Sequence, residues 1–274
     1  LMTGALGMLS STLPVQWLMP LVGWRALFLG LAGLIVVAMA LIAWCVPHWR
    51  VPMRAEAPAD AAPGAARDDG GYGEVLRSRY FRSLVPVGFF SYGGMVAIQT
   101  LWAGPWMVRV AGFSPAQSAA GLFTINLCML ATFWTWGWVN PWLMARGWNA
   151  DRLIARGLPL SFLVLGGLVL AGPAAGAWPW ALFCMSSTFV SLAQPAIGMA
   201  FPAALAGRAL SAYNLVIFAG VFVVQWGVGL LIDAFRGLGL GEVASFQAAL
   251  CAFLATSVAS WAYFVAAKPD NPRQ

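Results

Sequence analysis

Eight long apolar stretches follow one another along this chain, and almost no charged residue lies inside them. The hydrocarbon core of a bilayer requires about 20 apolar residues for each helical crossing, and the sequence supplies that length repeatedly. Charged residues make up 9% of the chain, whereas a soluble domain carries about 25%. The pattern therefore predicts a protein whose surroundings are lipid.

The apolar stretches predict an all-α fold, a polytopic bundle of transmembrane helices. Backbone groups inside lipid must be hydrogen-bonded within the protein, which favours helices, and the alternating pattern of a transmembrane barrel is not present. Ser10, Ser11, Thr12 and Gln16 interrupt the first span, which is tolerable where they face protein or water. The eight predicted spans are residues 2–21, 26–46, 83–108, 117–138, 153–171, 178–201, 209–232 and 243–266.

The basic residues predict the orientation of the bundle. If the polar segment before residue 83 faces the cytoplasm, 12 of the 15 Lys and Arg residues fall on that side and 3 on the other, namely Arg25, Arg109 and Arg236. This is the positive-inside bias, and it predicts a multi-pass protein of the plasma or inner membrane with a cytoplasmic linker and C-terminus. Because the positive charge is spread over short loops, nucleic-acid binding is not expected.

One polar segment divides the chain unevenly. Residues 55–71 are rich in Ala, Pro, Asp and Gly and show no apolar periodicity, which is typical of a flexible linker. The linker, taken as residues 48–82, separates two spans from six. The chain also starts directly with apolar sequence and has no charged leader. We therefore expect its natural N-terminus to be absent, the alternative being a complete, short protein with an unusual start.

Three groups of residues carry a resemblance to a known family. The run Gly-Trp-Arg-Ala-Leu-Phe at 23–28 resembles the outer turn between the fifth and sixth helices of major facilitator superfamily transporters. Residues 104–106 and 112–114 resemble the exit from the seventh helix. Residues 207–209, Asn214, 225–229 and Asp233 resemble the tenth-to-eleventh turn and the eleventh helix. The resemblance covers essentially the whole chain, as the C-terminal two-thirds of such a transporter.

The resemblance implies a twelve-helix architecture made of two six-helix halves. Residues 1–47 would form the last two helices of the N-terminal half, residues 48–82 the cytoplasmic linker, and residues 83–274 the six-helix C-terminal half. The first four helices would then be missing. We expect residues 1–274 alone to be poorly stable or inactive.

Polar side chains inside the spans are candidates for a substrate site, because they are costly in lipid and transporters of this type bind substrate near mid-membrane, between the two halves. In the third span Tyr92, Gln99 and Trp102 follow spacings of seven and three, which predicts a common helix face. The alternative is that such residues form interhelical hydrogen bonds of about 0.6 kcal/mol each. The predicted substrate-binding residues are Tyr92, Gln99, Trp102, Asn126, Gln194, Asn214 and Gln225.

The glycines of the third and seventh spans predict close helix packing. Gly93 and Gly94 favour a bend or the close approach of another helix. Gly220, Gly227 and Gly229 are predicted to make packing contacts.

The charged residues bear on the class of substrate. No Asp, Glu, Lys or His lies centrally in a predicted span, and Asp233 and Arg236 are expected to form an exposed pair at the outer end of the seventh. Proton coupling usually requires a titratable group buried in the membrane. Any proton relay is therefore expected mostly in the missing helices, and neutral or amphipathic substrates are favoured.

The sequence offers no catalytic or metal-binding set. Its four cysteines lack CxxC spacing, and the one histidine, His48, has no neighbouring partner ligand, so no metal or cofactor is predicted. The predicted function is a non-enzymatic membrane transporter that moves a small solute by alternating access. Its predicted partners are the lipid bilayer, the solute and the missing helices. The alternatives are a non-transporting remnant or scaffold and, third, a membrane-embedded transferase that uses His48 or Ser10 and Ser11.

Overall fold

The computed structural model describes residues 2–45 and 71–267, and within these ranges the chain is almost entirely helical and has no β-strand. The helices are α1 Met2–Ser10, α2 Leu13–Cys45, α3 Tyr72–Arg77, α4 Arg79–Arg109, α5 Pro115–Ala145, α6 Ala150–Ala171, α7 Ala177–Ala200, α8 Ala203–Gly237 and α9 Glu242–Ala267.

Seven helices of the described part of the chain, α2 and α4 to α9, are long and apolar enough to cross a membrane. The six from α4 to α9 correspond to the third to eighth predicted spans. The predicted all-α transmembrane bundle is therefore confirmed.

The start of the chain differs from the prediction. The predicted span 2–21 is interrupted at Ser11 and Thr12, whose hydroxyl groups donate to carbonyl oxygens three residues back, each at 2.7 Å. Such side-chain bonds compete with the helical ladder, so the segment is not one unbroken helix. Farther on, Gly23 has φ +73° and divides α2 at the point where the sequence predicts a turn between the first two spans.

The predicted linker ends earlier than residue 82. Ser78 caps α4 by accepting a hydrogen bond from the Phe81 N–H at 3.4 Å, and Phe81 and Leu84 are buried at helical spacing. The described part of this segment, residues 71–82, is therefore mainly helical in α3 and the first turn of α4. Residues 48–70 of the predicted linker lie outside the described residues.

The chain divides into two compact units, residues 14–69 and residues 1–13 together with 70–274. In the first unit, the described helix has no buried side chain. Near its break at Gly23, the Trp24 and Phe28 rings pack edge to face with centroids 6.3 Å apart. The Arg25 guanidinium lies 5.3 Å from the centre of the Trp24 ring, an aromatic and cationic pair typical of a membrane interface.

In the larger unit, a buried aromatic cluster joins α4, α7 and α9. Trp106 packs edge to face against Trp180 and Phe246, with ring centroids 5.8 and 6.4 Å apart. The Trp106 indole N–H donates to the Ala175 carbonyl oxygen at 3.1 Å. Edge-to-face pairs are stabilising beyond the area that they bury, so the cluster fixes the C-terminal part of α4 against its neighbours.

Glycine residues let α4 and α8 approach closely. A Cβ atom on Gly93 would meet the carbonyl oxygen of Ile217, and one on Gly220 would meet the carbonyl oxygen of Phe89. Contact between backbones at small residues is typical of membrane helix pairs. The predicted packing of Gly93 and Gly220 is therefore confirmed.

The other predicted glycine contacts have different outcomes. Gly94 faces the Phe253 ring of α9, and Gly229 lies against the Trp102 ring, so both pack as expected. Gly227 has no heavy atom within 4 Å of the place that a Cβ would occupy. Its predicted packing contact is wrong, because no neighbouring element of the described chain reaches that point of α8.

Turns and caps set the starts of α5 and α6. The Ser114 side chain accepts from the Gln117 N–H at 3.2 Å while the Gln117 side chain accepts from the Ser114 N–H at 2.8 Å, which is a capping box. Gly147, with φ +77°, forms the turn after α5, and Asn149 then caps α6 by accepting from the Arg152 N–H at 2.9 Å. This short turn connects α5 to α6, and both helices pack against α7.

Candidate functional site

The helix that carries three of the candidate residues is irregular. Within α4, residues Val87–Gly93 and Ile98–Trp102 are π-helical, and they contain Tyr92, Gln99 and Trp102. Pro86 comes immediately before the first of these segments and has no N–H to complete the α-helical ladder. π-Helical turns are rare and occur frequently at functional sites.

The three side chains of α4 contact three different helices. Tyr92 bonds to α7, Gln99 to α5 and Trp102 to α8. The predicted common face is therefore wrong, because the i→i+5 bonding of the π-helical segments changes the angular step that the spacing rule assumes. The candidate residues form three hydrogen-bonded groups instead of one.

The first group joins α4, α7 and α8. The Tyr92 hydroxyl donates to Gln194 Oε1 at 3.4 Å, and Gln194 Nε2 donates to Asn214 Oδ1. Tyr92 is buried and Asn214 is exposed, so the group runs from the interior of the bundle to its surface. The Tyr92 bond is longer than the usual range of about 2.5–3.0 Å for a hydroxyl donor and is correspondingly weak.

The second group is a buried amide pair between α4 and α5. Gln99 Nε2 donates to Asn126 Oδ1 at 3.0 Å, and Asn126 Nδ2 donates to the Leu122 carbonyl oxygen of its own helix at 2.9 Å. Both amide side chains are buried. This arrangement has the geometry of an interhelical hydrogen bond, which was the alternative drawn from the sequence.

The third group joins α4 and α8. The Trp102 indole N–H donates to the backbone carbonyl oxygen of Gln225 at 3.1 Å, and Gln225 Nε2 donates to the Thr100 hydroxyl at 3.0 Å. Thr100 was not among the sequence candidates. The sequence feature that could have indicated Thr100 was its position between the candidates Gln99 and Trp102.

An open cleft of about 390 Å³ lies at this third group. The aromatic side chains of Trp102, Phe222 and Trp226 form much of its wall, and Gln225 and Asp233 supply polar groups. The volume falls in the usual range for small-molecule sites, about 300–1,000 Å³. The cleft thus brings together the candidates Trp102 and Gln225 and adds six lining residues that the sequence did not single out as binding residues, among them Phe222, Trp226 and Asp233.

The charged residues beside the cleft are paired differently from the prediction. Arg236 contacts Glu242 at 3.0 Å, and Arg109 approaches the same carboxylate at 3.8 Å. The predicted pair between Asp233 and Arg236 is therefore wrong, because Glu242 in the first turn of α9 attracts both arginines. Asp233, which makes no ion pair with another described residue, remains on the wall of the cleft.

The serines considered for transferase chemistry donate to backbone carbonyl oxygens of α1. Ser10 Oγ donates to the Leu6 carbonyl oxygen at 2.8 Å, and Ser11 Oγ to that of Met8 at 2.7 Å. In the described chain, neither hydroxyl is paired with a side chain that can act as its base. His48 lies outside the described residues.

The chain is similar to known proteins in sequence profile and in fold. A sequence profile described as Major Facilitator Superfamily matches residues 1–225, and no curated protein sequence matches the chain. The fold is similar to that of a bacterial homolog of the human lysosomal transporter Spinster, solved in an inward-facing and unoccupied conformation, with a TM-score of 0.55 and 15% sequence identity. The match covers 73% of this chain and 50% of that one, so this chain spans about half the length of that transporter.

Proposed function

The chain belongs to the major facilitator superfamily, and from this premise we propose that it acts in a membrane transporter that moves a small solute by alternating access. In such transporters two helix bundles move around a site near the middle of the membrane. Residues 83–274 supply the C-terminal bundle, and residues 1–47 belong with the N-terminal one. The segment between α2 and α4 and the C-terminus face the cytoplasm, which the distribution of 12 of 15 basic residues supports.

The open cleft between α4 and α8 is the observation that carries this proposal. Three aromatic rings line it, and the Gln225 amide and Asp233 carboxylate are its polar groups. An apolar wall with a few convergent polar groups is typical of a small-molecule site. This composition supports binding of a neutral or amphipathic solute.

The Tyr92, Gln194 and Asn214 group is the second contact region for the solute. Its bond between Tyr92 and Gln194 is 3.4 Å long, so a hydroxyl or carbonyl group of a solute can replace it at little cost in energy. The buried Gln99 and Asn126 pair holds α4 against α5 and contributes to the site indirectly, by positioning α4.

Transport by the full-length protein in proteoliposomes tests the proposal. A panel of small neutral and amphipathic solutes is screened for flux, and Trp226→Leu is compared with Trp178→Leu. The two tryptophans are 63% and 67% exposed, so both variants lose a similar exposed ring, but only Trp226 lies on the cleft. We expect Trp226→Leu to raise the KM for flux several-fold and Trp178→Leu to leave it unchanged.

Two results would contradict the proposal. One is the absence of solute-dependent flux across the whole panel by protein that is folded in the vesicles. The other is an equal loss of flux in both tryptophan variants, which would place the solute outside the cleft.

A further inference from the structure

A second cavity, of about 520 Å³, lies between α5, α6 and α7 and shares no lining residue with the cleft. Its walls are mainly apolar, with Val139 and Leu143 from α5, Leu153 and Leu160 from α6, and Leu182 from α7. Leu160 and Leu182 are each more than half exposed. The cavity is therefore a groove that opens to the outer surface of the bundle, where a membrane protein meets lipid.

The length of this groove is close to that of one bilayer leaflet. Its lining spans twelve residues from Thr132 to Leu143 on α5, and twelve from Leu153 to Val164 on α6, which is eleven residue-to-residue steps on each helix. At a rise of about 1.5 Å per residue, each wall is about 16 Å long, roughly half of the hydrocarbon core of about 30 Å.

The hydroxyl groups in the groove are already hydrogen-bonded. Thr132 donates to the Cys128 carbonyl oxygen at 2.7 Å, and Thr188 accepts from the Trp136 indole N–H at 2.9 Å. Since these groups require no further partner, the groove offers its occupant an apolar surface. A hydrocarbon chain fits this surface better than a polar solute does.

Three arginines lie at one end of the groove, around the turn between α5 and α6. Arg146 caps the C-terminus of α5, and Arg152 and Arg156 belong to the first two turns of α6. Arg156 comes three residues after Leu153 and four before Leu160, so helical spacing puts it on the side of α6 that lines the groove. All three arginines are exposed.

These arginines have no carboxylate partner among the described residues. Arg152 donates to the Gly147 carbonyl oxygen at 3.0 Å. The guanidinium of Arg146 lies 3.6 Å from the centre of the Trp142 ring, and that of Arg156 lies 5.2 Å from the Trp148 ring. Tryptophans of this kind mark the headgroup level of a membrane. The three arginines therefore lie at headgroup level, and no described carboxylate neutralises their charge.

The acidic residue next to the cluster in the described part of the chain has a different partner. Asp151 accepts a hydrogen bond from the Tyr80 hydroxyl at 2.9 Å, which ties α6 to the first turn of α4. Among the described residues three arginines stand against this single carboxylate, so the described end of the groove is positively charged and complementary to an anion.

We propose that the groove binds an anionic phospholipid of the leaflet on the side of the α5–α6 turn. One acyl chain lies along the apolar walls, and the phosphate is held by Arg146, Arg152 and Arg156. Guanidinium groups bind phosphate oxygens with good geometry, and basic pockets between membrane helices are suited to anionic headgroups. The site requires only that the chain spans a membrane, and it does not depend on the transported solute.

Native mass spectrometry of the detergent-purified protein tests this site with three probes. Phosphatidylglycerol carries both the charge and the chains, phosphatidylcholine with identical chains carries no net charge, and glycerol 3-phosphate is the headgroup without chains. We expect wild-type protein to retain phosphatidylglycerol much more strongly than phosphatidylcholine, and glycerol 3-phosphate to compete only weakly.

Variants distinguish the contribution of the arginine charges to lipid retention from that of the apolar groove. R146Q/R156Q removes two exposed charges and is expected to weaken phosphatidylglycerol retention about tenfold without changing that of phosphatidylcholine. Arg82→Gln removes an exposed arginine from α4, which does not line the groove, and is the matched control. Leu160→Trp narrows the groove and is expected to weaken retention of both lipids.

A fluorescence measurement locates the acyl chain independently. Phosphatidylglycerol with brominated chains is expected to quench Trp136, which lines the groove, so Trp136→Phe should remove part of the quenching. Several results would overturn the proposal: equal retention of the two lipids, an Arg82→Gln effect as large as that of R146Q/R156Q, full displacement by glycerol 3-phosphate, or a protein dimer that Leu160→Trp abolishes.

Discussion

Gln99 and Asn126 are enclosed by protein, with 3% and 7% of their surfaces exposed. Gln99→Leu would leave the Asn126 carbonyl oxygen without its interhelical donor, and an unpaired buried polar group is destabilising. We expect the free energy of unfolding to fall by about 0.6 kcal/mol, with about 1.7 kcal/mol as the upper range for such bonds in membranes. Denaturant titration in detergent micelles measures the change.

A double-mutant cycle shows whether this loss belongs to the pair. The double variant Gln99→Leu/Asn126→Leu should lose less unfolding free energy than the sum of the losses in the two single variants, because the second change removes a group that is already unpaired. Thr124→Val is the control, since the Thr124 hydroxyl donates within its own helix, to the Ala120 carbonyl oxygen at 2.9 Å. Strict additivity would mean that the two amides do not interact.

For single residues, the sequence could predict which polar side chains lie within membrane spans, but not which residues they contact. Gln99 and Gln225 stand out because a polar amide side chain is unfavourable in lipid. Their hydrogen-bond partners depend on the π-helical turns of α4, which the spacing of polar residues in the sequence does not reveal. The position of Arg236 three residues after Asp233 favours a local pair, yet Glu242 lies nearer to Arg236 in the folded chain.

On the α8 side, the close crossing of α4 and α8 depends on glycine at position 220. A side chain at Gly220 would run into the backbone of Phe89, whereas Gly227 on the same helix has open space. Gly220→Val is therefore expected to destabilise the bundle by about 1–3 kcal/mol through overpacking. Gly227→Val carries the same β-branched side chain and should have little effect.

Thermal unfolding in detergent, followed by tryptophan fluorescence, measures this difference. The shared change to valine cancels the intrinsic cost of a β-branched residue in a helix, so the difference between the two variants reports the contact with Phe89. Equal midpoints for Gly220→Val and Gly227→Val would mean that α4 and α8 do not meet at Gly220.

Whole helices were more predictable than their irregularities. Six predicted spans coincide with α4 to α9, because a run of about 20 apolar residues has few other folds in lipid. The break at Ser11 and Thr12 was harder to predict, since hydroxyl groups are tolerated in many membrane helices and disturb only some of them. The early start of α4 escaped prediction because its first turn carries Arg79 and Arg82 and so resembles a loop in hydropathy.

In the larger unit, two sets of polar contacts lie at opposite ends of the helices. At one face Glu242 joins the ends of α4 and α8 through Arg109 and Arg236. At the opposite end of α4, Tyr80 bonds to Asp151 at the start of α6, next to the arginines of the α5–α6 turn. The two sets of helix ends are the ones that the charge count assigned to opposite sides of the membrane.

The orientation of these two faces is testable on a single helix. α5 has 31 residues, about 46 Å at 1.5 Å per residue, so both of its ends extend beyond a hydrocarbon core of about 30 Å. Ala116 and Ala145 are exposed near its two ends. In a background without the four natural cysteines, Ala116→Cys should react with a membrane-impermeant maleimide added to intact cells.

Ala145→Cys should react only after the membrane is opened, because the arginine-rich face is expected to stay in the cytoplasm. A cysteine at Leu163, exposed in the middle of α6, serves as the control and should remain unlabelled from either side. Labelling of Ala145→Cys alone in intact cells would reverse the orientation. Labelling of both ends from one side would mean that α5 does not cross the membrane, and the alternating-access proposal would then lose its basis.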